Sequence, residues 1–313
     1  MTAFFAKRFA LLLLTMAVVS FIIFLLFELT PGSVARKMLG PFATQHEVDL
    51  LTEKMGLNRP FLVRYLEWAG NALQGDLGYS TLYRKPVNGV IWERLGNTLL
   101  LASIAFAIIV PASIVLGVLA GMREASALDR TVSLLSIIST SIPEFASGVF
   151  LSSIFVIWLN LLPGTSKLYT EGGWSIASQL VLPVAVMVGY DLGYVVRMVR
   201  ASMVEVMTRP YIRTAVLKGL SFRDVIVKHA LRNAMIAPFT VILLQIQYLV
   251  TGVVVVESVF AYPGYGRMMV EAALNQDVAV VEAGALFSVL VAVLTQIAGD
   301  FGYMLLNPRI RFA

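Results

Sequence analysis

The chain has 313 residues, of which 58% are hydrophobic and only 14% are charged, and it contains no cysteine. A soluble domain averages about half apolar and about a quarter charged residues, so an integral membrane protein is predicted. The absence of cysteine excludes disulfides, iron–sulfur clusters and thiolate metal sites. The net charge of +5 does not indicate a nucleic-acid partner, and the two histidines, His46 and His229, are too far apart in sequence to suggest a metal site.

Six apolar runs are each long enough to cross a bilayer, which takes about 20 residues. They lie at about 9–29, 97–121, 132–162, 178–199, 234–256 and 281–306. Lys7 and Arg8 precede the first run as in a signal peptide, and Ser33-Val34-Ala35 resembles a cleavage site. The run is longer than the roughly 7–15 apolar residues of a signal peptide, so a transmembrane helix is predicted instead.

Basic residues are distributed unevenly among the connections between these runs. The basic stretches are the connection with Arg123 and Arg130, the segment 197–232, and Arg309 with Arg311 after the last run. The connections 163–177 and 257–280 each hold a single basic residue. The positive-inside rule therefore predicts that the basic stretches and both termini are cytoplasmic. Residues 31–95 are then extracytoplasmic, and their own basic residues count little because long loops are weak determinants.

Residues 31–95 are polar and mixed, and they are predicted to form a small helical insert. Thr44–Glu47 is a capping box that opens a helix ending near Gly56. A second helix is predicted over 61–73, and Gly75-Asp76-Leu77-Gly78 ends it. The predicted domains are an N-terminal transmembrane helix (1–30), the extracytoplasmic insert (31–95) and a transmembrane core (96–313).

The basic segment 208–232 lies between the fourth and fifth apolar runs and is predicted to contain two short helices. Pro210 suits the first position of a helix, where its missing N–H is not needed. Gly219 suits the left-handed residue that ends this helix, and Ser221 with Asp224 suits the N-cap of the next. The first helix has one apolar face, formed by Ile212, Ala215, Val216 and Leu220.

Several phrases of the sequence resemble one family of membrane proteins. Tyr211–Ala215 followed by Gly219, and then His229–Asn233, is similar to the cytoplasmic loop of ABC-importer permeases. The likeness is to the B-type permeases of the dipeptide, oligopeptide and nickel branch, in which Arg213 and Thr214 replace the general Glu-Ala. Further similar phrases are Thr30-Pro31-Gly32, Met55–Pro60, Gly75–Gly78, Glu257–Arg267 and Asn307–Arg311.

The resemblance implies an all-α integral membrane protein with six transmembrane helices, the type I ABC importer permease fold, and a helical extracytoplasmic insert. The segment at about 210–220 would be the coupling helix that docks on the ATPase subunit. The implied coupling residues are Tyr211, Thr214, Ala215, Lys218, Gly219, Leu220 and Ser221. The implied external gate loop contains Glu257, Phe260, Pro263, Gly264, Gly266 and Arg267.

The resemblance also implies the surroundings of the chain. A second homologous permease would complete a heterodimer in the lipid of a prokaryotic inner membrane. Two ATP-binding subunits would carry ATP and magnesium, and an extracytoplasmic binding protein would deliver the solute. This chain would bind no cofactor, metal or nucleic acid. The expected solute is a peptide or peptide-like molecule, with a nickel or other metal chelate and glutathione as alternatives.

Two acidic residues lie within apolar runs and are candidates for function. Glu144 follows Pro143 in the third run, and Asp191 lies in the fourth. A carboxylate at such a depth costs about 2.5 kcal/mol or more against lipid, so both acids should face protein or a water-filled path. Our interpretation is that they line the translocation path with Gln245 and favour a cationic group. The alternative is that each acid only pairs with a structural partner, as we expect for Asp300.

Other classes of membrane protein lack their characteristic residues in this sequence. There is no phosphate-binding Gly-x-x-x-x-Gly-Lys-Ser/Thr loop and no His-Glu-x-x-His motif, so the chain is not expected to be an enzyme. A channel would show the signature of a selectivity filter, and this sequence has none. A secondary transporter, the more distant alternative, more often shows an internal repeat, and we find none.

Overall fold

The computed structural model describes residues 2–29, 34–40, 42–54, 56–168, 174–251 and 253–306. The family-like phrases at Thr30-Pro31-Gly32 and Asn307–Arg311, and Met55 within another, lie outside these residues. The chain divides into two compact units. The first takes in the described residues of Met1–Gly96 and Tyr265–Val293, and the second those of Asn97–Gly264 and Leu294–Ala313.

The described residues are mostly helical. The first elements are α1 (Thr2–Leu29), α2 (Val34–Leu39), α3 (Gln45–Lys54), α4 (Phe61–Leu73), β1 (Tyr79–Ser80), β2 (Lys85–Pro86) and α5 (Val87–Gly121). They are followed by α6 (Ala127–Ser141), α7 (Glu144–Ser152) with a π-helical turn (Ser153–Trp158), α8 (Ile176–Met207), α9 (Pro210–Leu217) and α10 (Phe222–Asp224). A second π-helical turn (Val225–Ala230) precedes α11 (Leu231–Ala234), α12 (Ile236–Thr251), α13 (Val254–Val259), α14 (Tyr265–Leu274) and α15 (Val278–Leu306).

The first unit contains the insert helices that the sequence predicts. The capping box before α3 is confirmed, because the Thr44 N–H donates to Glu47 Oε2 (2.7 Å) and the Glu47 N–H donates to Thr44 Oγ1 (3.3 Å). Helix α4 packs on α1 through edge-to-face aromatic pairs, with the Tyr65 ring 5.3 Å from that of Phe21 and 5.7 Å from that of Phe24. Helix α4 spans Phe61–Leu73, so the predicted helix over 61–73 is confirmed.

The antiparallel pair β1 and β2 in the first unit has no counterpart in the predictions. Asp277 holds the hairpin from the start of α15, since its carboxylate accepts from Ser80 Oγ (2.5 Å) and from the Leu82 N–H (3.0 Å). Helix α5 follows directly and starts at Val87, well before the predicted span at 97 and the predicted insert boundary at 95. The helix extends beyond the apolar run because polar residues such as Glu93 end the hydrophobic pattern without ending the helix.

Helix α8 lies at the centre of the second unit, where the largest buried core contains residues of α5, α8, α12 and α13. Small residues allow this close packing. A Cβ on Gly121 of α5 would lie 2.6 Å from Met203 Cβ of α8, and one on Gly193 of α8 would lie 2.7 Å from the Ser136 carbonyl of α6. These glycines let the helix backbones approach closely, as is common between membrane helices.

Five helices among the described residues are long and apolar enough to cross a membrane, and the pair α6–α7 is a sixth if it counts as one span. The sequence predicts one continuous run over 132–162, whereas α6 and α7 meet at a bend of 94°. The reason is Pro143, which cannot donate a helical hydrogen bond and forces Ile142 into an extended conformation (ψ 121°).

Candidate functional site

A cluster of four polar residues, here called the acid cluster, lies in the second unit between α7, α8 and α12. It consists of Glu144, Asp191, Gln245 and Tyr248. The Tyr248 hydroxyl donates to Glu144 Oε1 at 2.7 Å, and Gln245 Nε2 donates to Asp191 Oδ1 at 2.8 Å. The two carboxylates are close enough to interact electrostatically. The structure therefore brings together the three residues that the sequence analysis assigned to the translocation path.

The hydrogen-bonding capacity of the acid cluster is not filled. Asp191 is 2% exposed, and its Oδ2 has no hydrogen-bond partner among the described residues. A buried carboxylate oxygen without a donor is unfavourable, so the cluster favours any group that can donate to it. Among the described residues, the side chains that donate to these two acids are the neutral Gln245 and Tyr248.

The bend between α6 and α7 positions Glu144. Because Pro143 ends the preceding segment, Glu144 is the first residue of α7, where the free N–H groups of a helix start favour a negative charge. Asp191 lies midway along α8, the most buried of the candidate spans. Sequence analysis missed Tyr248, although its position three residues after Gln245 places both on one face of α12.

The basic segment 208–232 has the predicted arrangement of helix, glycine turn and helix. Pro210 begins α9, and Gly219 has a left-handed conformation with φ of +76°. The Ser221 hydroxyl oxygen caps α10 by accepting from the Asp224 N–H at 3.1 Å. Lys228 lies 2.6 Å from Asp224, and this contact, followed by the Ser221 hydroxyl, lowers the pKa of the Asp224 carboxyl.

Most of the residues assigned to coupling are exposed, with one exception. The exposed ones are Tyr211, Thr214, Lys218, Gly219, Leu220 and Ser221. Ala215 is 5% exposed and packs with Ile212 in a buried cluster that includes Met203 of α8. The side chain of Ala215 therefore faces the interior of its own chain, where α9 packs on the second π-helical turn.

The exposed side of the basic segment is strongly apolar, a feature that the motif-based assignment did not include. Its exposed apolar side chains are Val216, Leu217, Leu220, Phe222 and Val227. Leu217 is 79% exposed although it lies in the middle of an ordered segment. Several exposed apolar side chains in one short segment are typical of a docking site for another protein.

The first part of the predicted gate loop, Glu257–Gly264, consists of the end of α13 and a tightly packed turn in the second unit. Glu257 is fully buried and accepts from Thr98 Oγ1 at 2.6 Å. A Cβ on Gly264 would collide with the Glu257 carboxylate, which explains the need for glycine there. The Pro263 carbonyl accepts from Asn97 Nδ2 at 2.8 Å, and Phe260 is fully buried.

The remainder of the predicted gate loop belongs to the first unit and lies in α14 (Tyr265–Leu274), so the connection 257–280 contains a helix. Gly266 is buried near the start of α14, and Arg267 Nε donates to Glu271 Oε1 at 2.7 Å. The Tyr265 hydroxyl donates to the Gly284 carbonyl, and burial raises its pKa to about 12. Arg267 and Glu271 form an i,i+4 pair that stabilises the helix.

The sequence matches two families along almost its whole length. Residues 113–312 match the binding-protein-dependent transport system inner membrane component, and residues 1–102 match the N-terminal region of such membrane components. The chain belongs to this family. The predicted likeness to ABC-importer permeases is thereby confirmed.

Relatives of this inner membrane component align from end to end. A putative peptide transport system permease protein of Brucella abortus is 36% identical over 315 residues, covering 100% of both chains. A probable peptide ABC transporter permease protein of Sinorhizobium fredii is 34% identical over 315 residues, also with 100% coverage of both. The oligopeptide transport system permease protein AppB of Bacillus subtilis is 33% identical over 316 residues, again covering 100% of both.

A solved structure supports the fold of this inner membrane component. The structure titled inward facing conformations of the MetNI methionine ABC transporter matches with a TM-score of 0.51 and 21% identity. The match covers 69% of this chain and 94% of that chain. At this identity the likeness concerns the fold alone, and with the family it confirms the predicted all-α type I importer permease fold.

Proposed function

We propose that this chain is the transmembrane permease subunit of an ATP-driven, binding-protein-dependent importer of peptides or peptide-like solutes. It forms half of the translocation path. The observation that carries the proposal is the end-to-end similarity, at 33–36% identity, to permeases named for peptide or oligopeptide transport. These names favour peptides over metal chelates and glutathione.

The basic segment 208–232 receives the ATPase subunit in this proposal. Its exposed apolar side chains, among them Leu217 and Phe222, supply the docking surface. On its inner side, Ile212 and Ala215 belong to a buried cluster that joins α9, the second π-helical turn and Met203 near the end of α8. Because α8 also carries Asp191, movement of α9 on ATP binding is transmitted along one rigid helix to the acid cluster.

The acid cluster provides the cation-favouring part of the path. A peptide carries an ammonium group at its amino terminus, and Glu144 and Asp191 present carboxylates with an unfilled oxygen. Binding must also be weak enough to release the solute, and the neutral donors Gln245 and Tyr248 serve this need by partly satisfying the acids. The turn around Glu257–Gly264 acts as the external gate.

The proposal includes the surrounding assembly, and the family match supports association with other transporter subunits. The chain pairs with a second permease, two ATP-binding subunits that hold ATP and magnesium, and an extracytoplasmic binding protein. Hydrolysis of ATP takes place on those partner subunits. Both termini and the basic segment are cytoplasmic, and the domains remain 1–30, the extracytoplasmic insert 31–95 and the core 96–313, with the coupling helix at about 210–220.

Uptake by a strain that lacks the gene for this chain tests the proposed function. The deletion strain should lose accumulation of labelled di- and tripeptides, and expression of the chain in trans should restore it. Uptake of labelled nickel and glutathione is measured in the same cells. Normal peptide uptake together with a loss of nickel or glutathione uptake would overturn the assignment to peptides.

A further inference from the structure

A cavity with a volume of about 340 Å³ lies in the first unit and shares no residue with the acid cluster. It is lined by residues of α1, α4, the β1–β2 hairpin and the start of α15. Four buried side-chain atoms of its lining have no hydrogen-bond partner among the described residues. They are Arg64 Nε, Trp68 Nε1 and both carboxylate oxygens of Glu282.

The other charges around this cavity have partners. Arg59 Nη1 lies 2.7 Å from Glu67 Oε1, and Arg64 Nη2 lies 2.5 Å from Glu28 Oε2. Asp277 accepts from Ser80 and Leu82, as described for the hairpin. Glu282 is 1% exposed. In the described part of the chain, neither of its carboxylate oxygens has a hydrogen-bond partner.

The unpartnered atoms indicate which chemical groups a ligand would need in order to bind them. Glu282 supplies two carboxylate oxygens, which a cationic donor such as an ammonium group would satisfy while holding the acid ionised. Trp68 Nε1–H and Arg64 Nε–H supply donors, so they require an acceptor such as a carbonyl oxygen. Leaving such groups unpaired in a buried site is costly, and one solute with both features removes the cost.

Part of the lining of this cavity is exposed on the surface of the chain. Tyr79 on its lining is 58% exposed, and the side chains of Arg59 and Glu67 are 51% and 48% exposed. A volume of this size is at the lower end of the roughly 300–1,000 Å³ found for small-molecule sites. The space therefore suits a small solute, and a folded partner protein would not enter it.

We infer that this cavity binds a small α-amino carbonyl compound, with the ammonium group on Glu282 and the carbonyl oxygen on Trp68 and Arg64. This chemistry is that of an amino-acid amide or a peptide amino terminus. The site goes beyond the proposed path, because every residue of its lining belongs to the first unit, whereas the acid cluster belongs to the second.

Calorimetry on the purified importer complex in nanodiscs, without nucleotide, tests the site with three probes. Alaninamide carries both the ammonium group and the carbonyl, n-propylammonium carries only the cation, and N-acetylalaninamide has no cation. We expect alaninamide to bind at least tenfold more tightly than either of the others. Glu282→Gln should weaken alaninamide binding at least tenfold, because the amide carries no charge to pair with the ammonium.

Two further variants separate a binding role from a folding role. Trp68→Phe keeps most of the ring packing but removes the Nε1–H donor, so it should weaken alaninamide and leave n-propylammonium unchanged. This variant decides the question if Glu282→Gln does not fold. Glu271→Gln is the matched control, since it makes the same carboxylate-to-amide change in the first unit outside the cavity and should bind alaninamide normally.

Three results would overturn the inference. They are equal affinity for alaninamide and its acetylated form, unchanged affinity in both the Glu282→Gln and Trp68→Phe variants, and no binding of any probe, which would mean that the cavity holds only water. The proposed function is judged separately by cellular uptake. A complex that binds alaninamide through Glu282 but imports no peptide would support this site and contradict that function.

Discussion

At the scale of single residues, the buried acids of the second unit differ in how completely they are satisfied. Asp129 accepts from Arg200 Nε (2.6 Å) and Nη2 (2.8 Å), and also from the Ala125 N–H (2.9 Å). Asp191 has one neutral donor and one unfilled oxygen. We therefore regard Asp129 as a structural anchor between α6 and α8, and Asp191 as a residue available to a passing solute.

The first prediction concerns the charge of the acid cluster. The double variant Glu144→Gln, Asp191→Asn keeps size and hydrogen bonding but removes both negative charges. If the cluster favours cations, uptake of lysine-containing peptides should fall by about tenfold, equivalent to about 1.4 kcal/mol, while neutral blocked peptides change little. The measurement is initial uptake of paired labelled peptides at equal protein levels.

The control for this experiment is Glu205→Gln, which neutralises an acid that pairs with Arg209 on the surface. It should leave both classes of peptide unaffected. An equal loss of cationic and neutral peptides in the double variant, or no loss at all, would contradict the role of the acids in the path and favour purely structural pairing.

The second prediction concerns the Asp129–Arg200 anchor. Arg200→Met should lower the free energy of unfolding by about 3 kcal/mol, because it leaves a nearly buried carboxylate without its counter-ion. Arg209→Met removes an exposed ion pair and should cost less than about 1 kcal/mol. Denaturation in detergent measures both, and adding Asp129→Asn to Arg200→Met should recover part of the loss. Equal destabilisation by Arg200→Met and Arg209→Met would refute the anchor.

At the scale of elements, the basic segment has two faces with different surroundings. The inner face of α9 packs on the second π-helical turn, where Ile212 and Ala215 share a buried cluster with Met203 of α8, and the outer face exposes Leu217 and other apolar side chains. Gly219 turns the chain between α9 and α10 with its φ of +76°. A change at this turn would reorient the outer face without removing any buried contact.

The third prediction uses this turn. Gly219→Val should leave the permease inserted at normal levels but uncouple transport from ATP hydrolysis, because a β-branched residue is strained at positive φ. Gly75→Val is the matched control, since Gly75 has a φ of +86° and equally open surroundings but lies in the insert. ATPase activity and uptake are measured together in proteoliposomes. Coupled transport at the wild-type ratio in Gly219→Val would argue against a docking role.

Helix-capping residues, prolines and glycines explain which elements could be predicted from the sequence. Thr44–Glu47, Pro210 and Gly219 each impose a local geometry, and the structure has each as expected. The two-residue strands and the π-helical turns have no periodicity of their own and could not be predicted. Tyr248 and Glu282 could not be identified from the sequence either, because their importance depends on which side chains of other helices lie near them.

At the scale of the whole molecule, the number of membrane crossings depends on the bent pair α6–α7. Five helices of the described residues suffice by length, and only the pair can add a sixth crossing. If the pair crosses, Glu124 and Lys167 are on opposite sides of the membrane. If it returns to the same side, the basic segment after α8 moves to the face opposite Glu124, away from any cytoplasmic ATPase.

The last prediction concerns this number of membrane crossings. It is tested with single cysteines, which report cleanly because the chain has none of its own. Four exposed positions are suitable: Gln74→Cys, Glu124→Cys, Lys167→Cys and Arg223→Cys. With six crossings, an impermeant thiol reagent added to intact cells should label Gln74→Cys and Lys167→Cys. It should reach Glu124→Cys and Arg223→Cys only after permeabilisation, in agreement with the positive-inside distribution.

A re-entrant α6–α7 pair predicts a different pattern of labelling. Lys167→Cys would then behave like Glu124→Cys, and Arg223→Cys would be labelled in intact cells. That outcome would contradict the six-span topology and the docking of the basic segment on an ATPase. It would leave the acid cluster in place, because its hydrogen bonds lie within the second unit whichever way the bent pair meets the membrane.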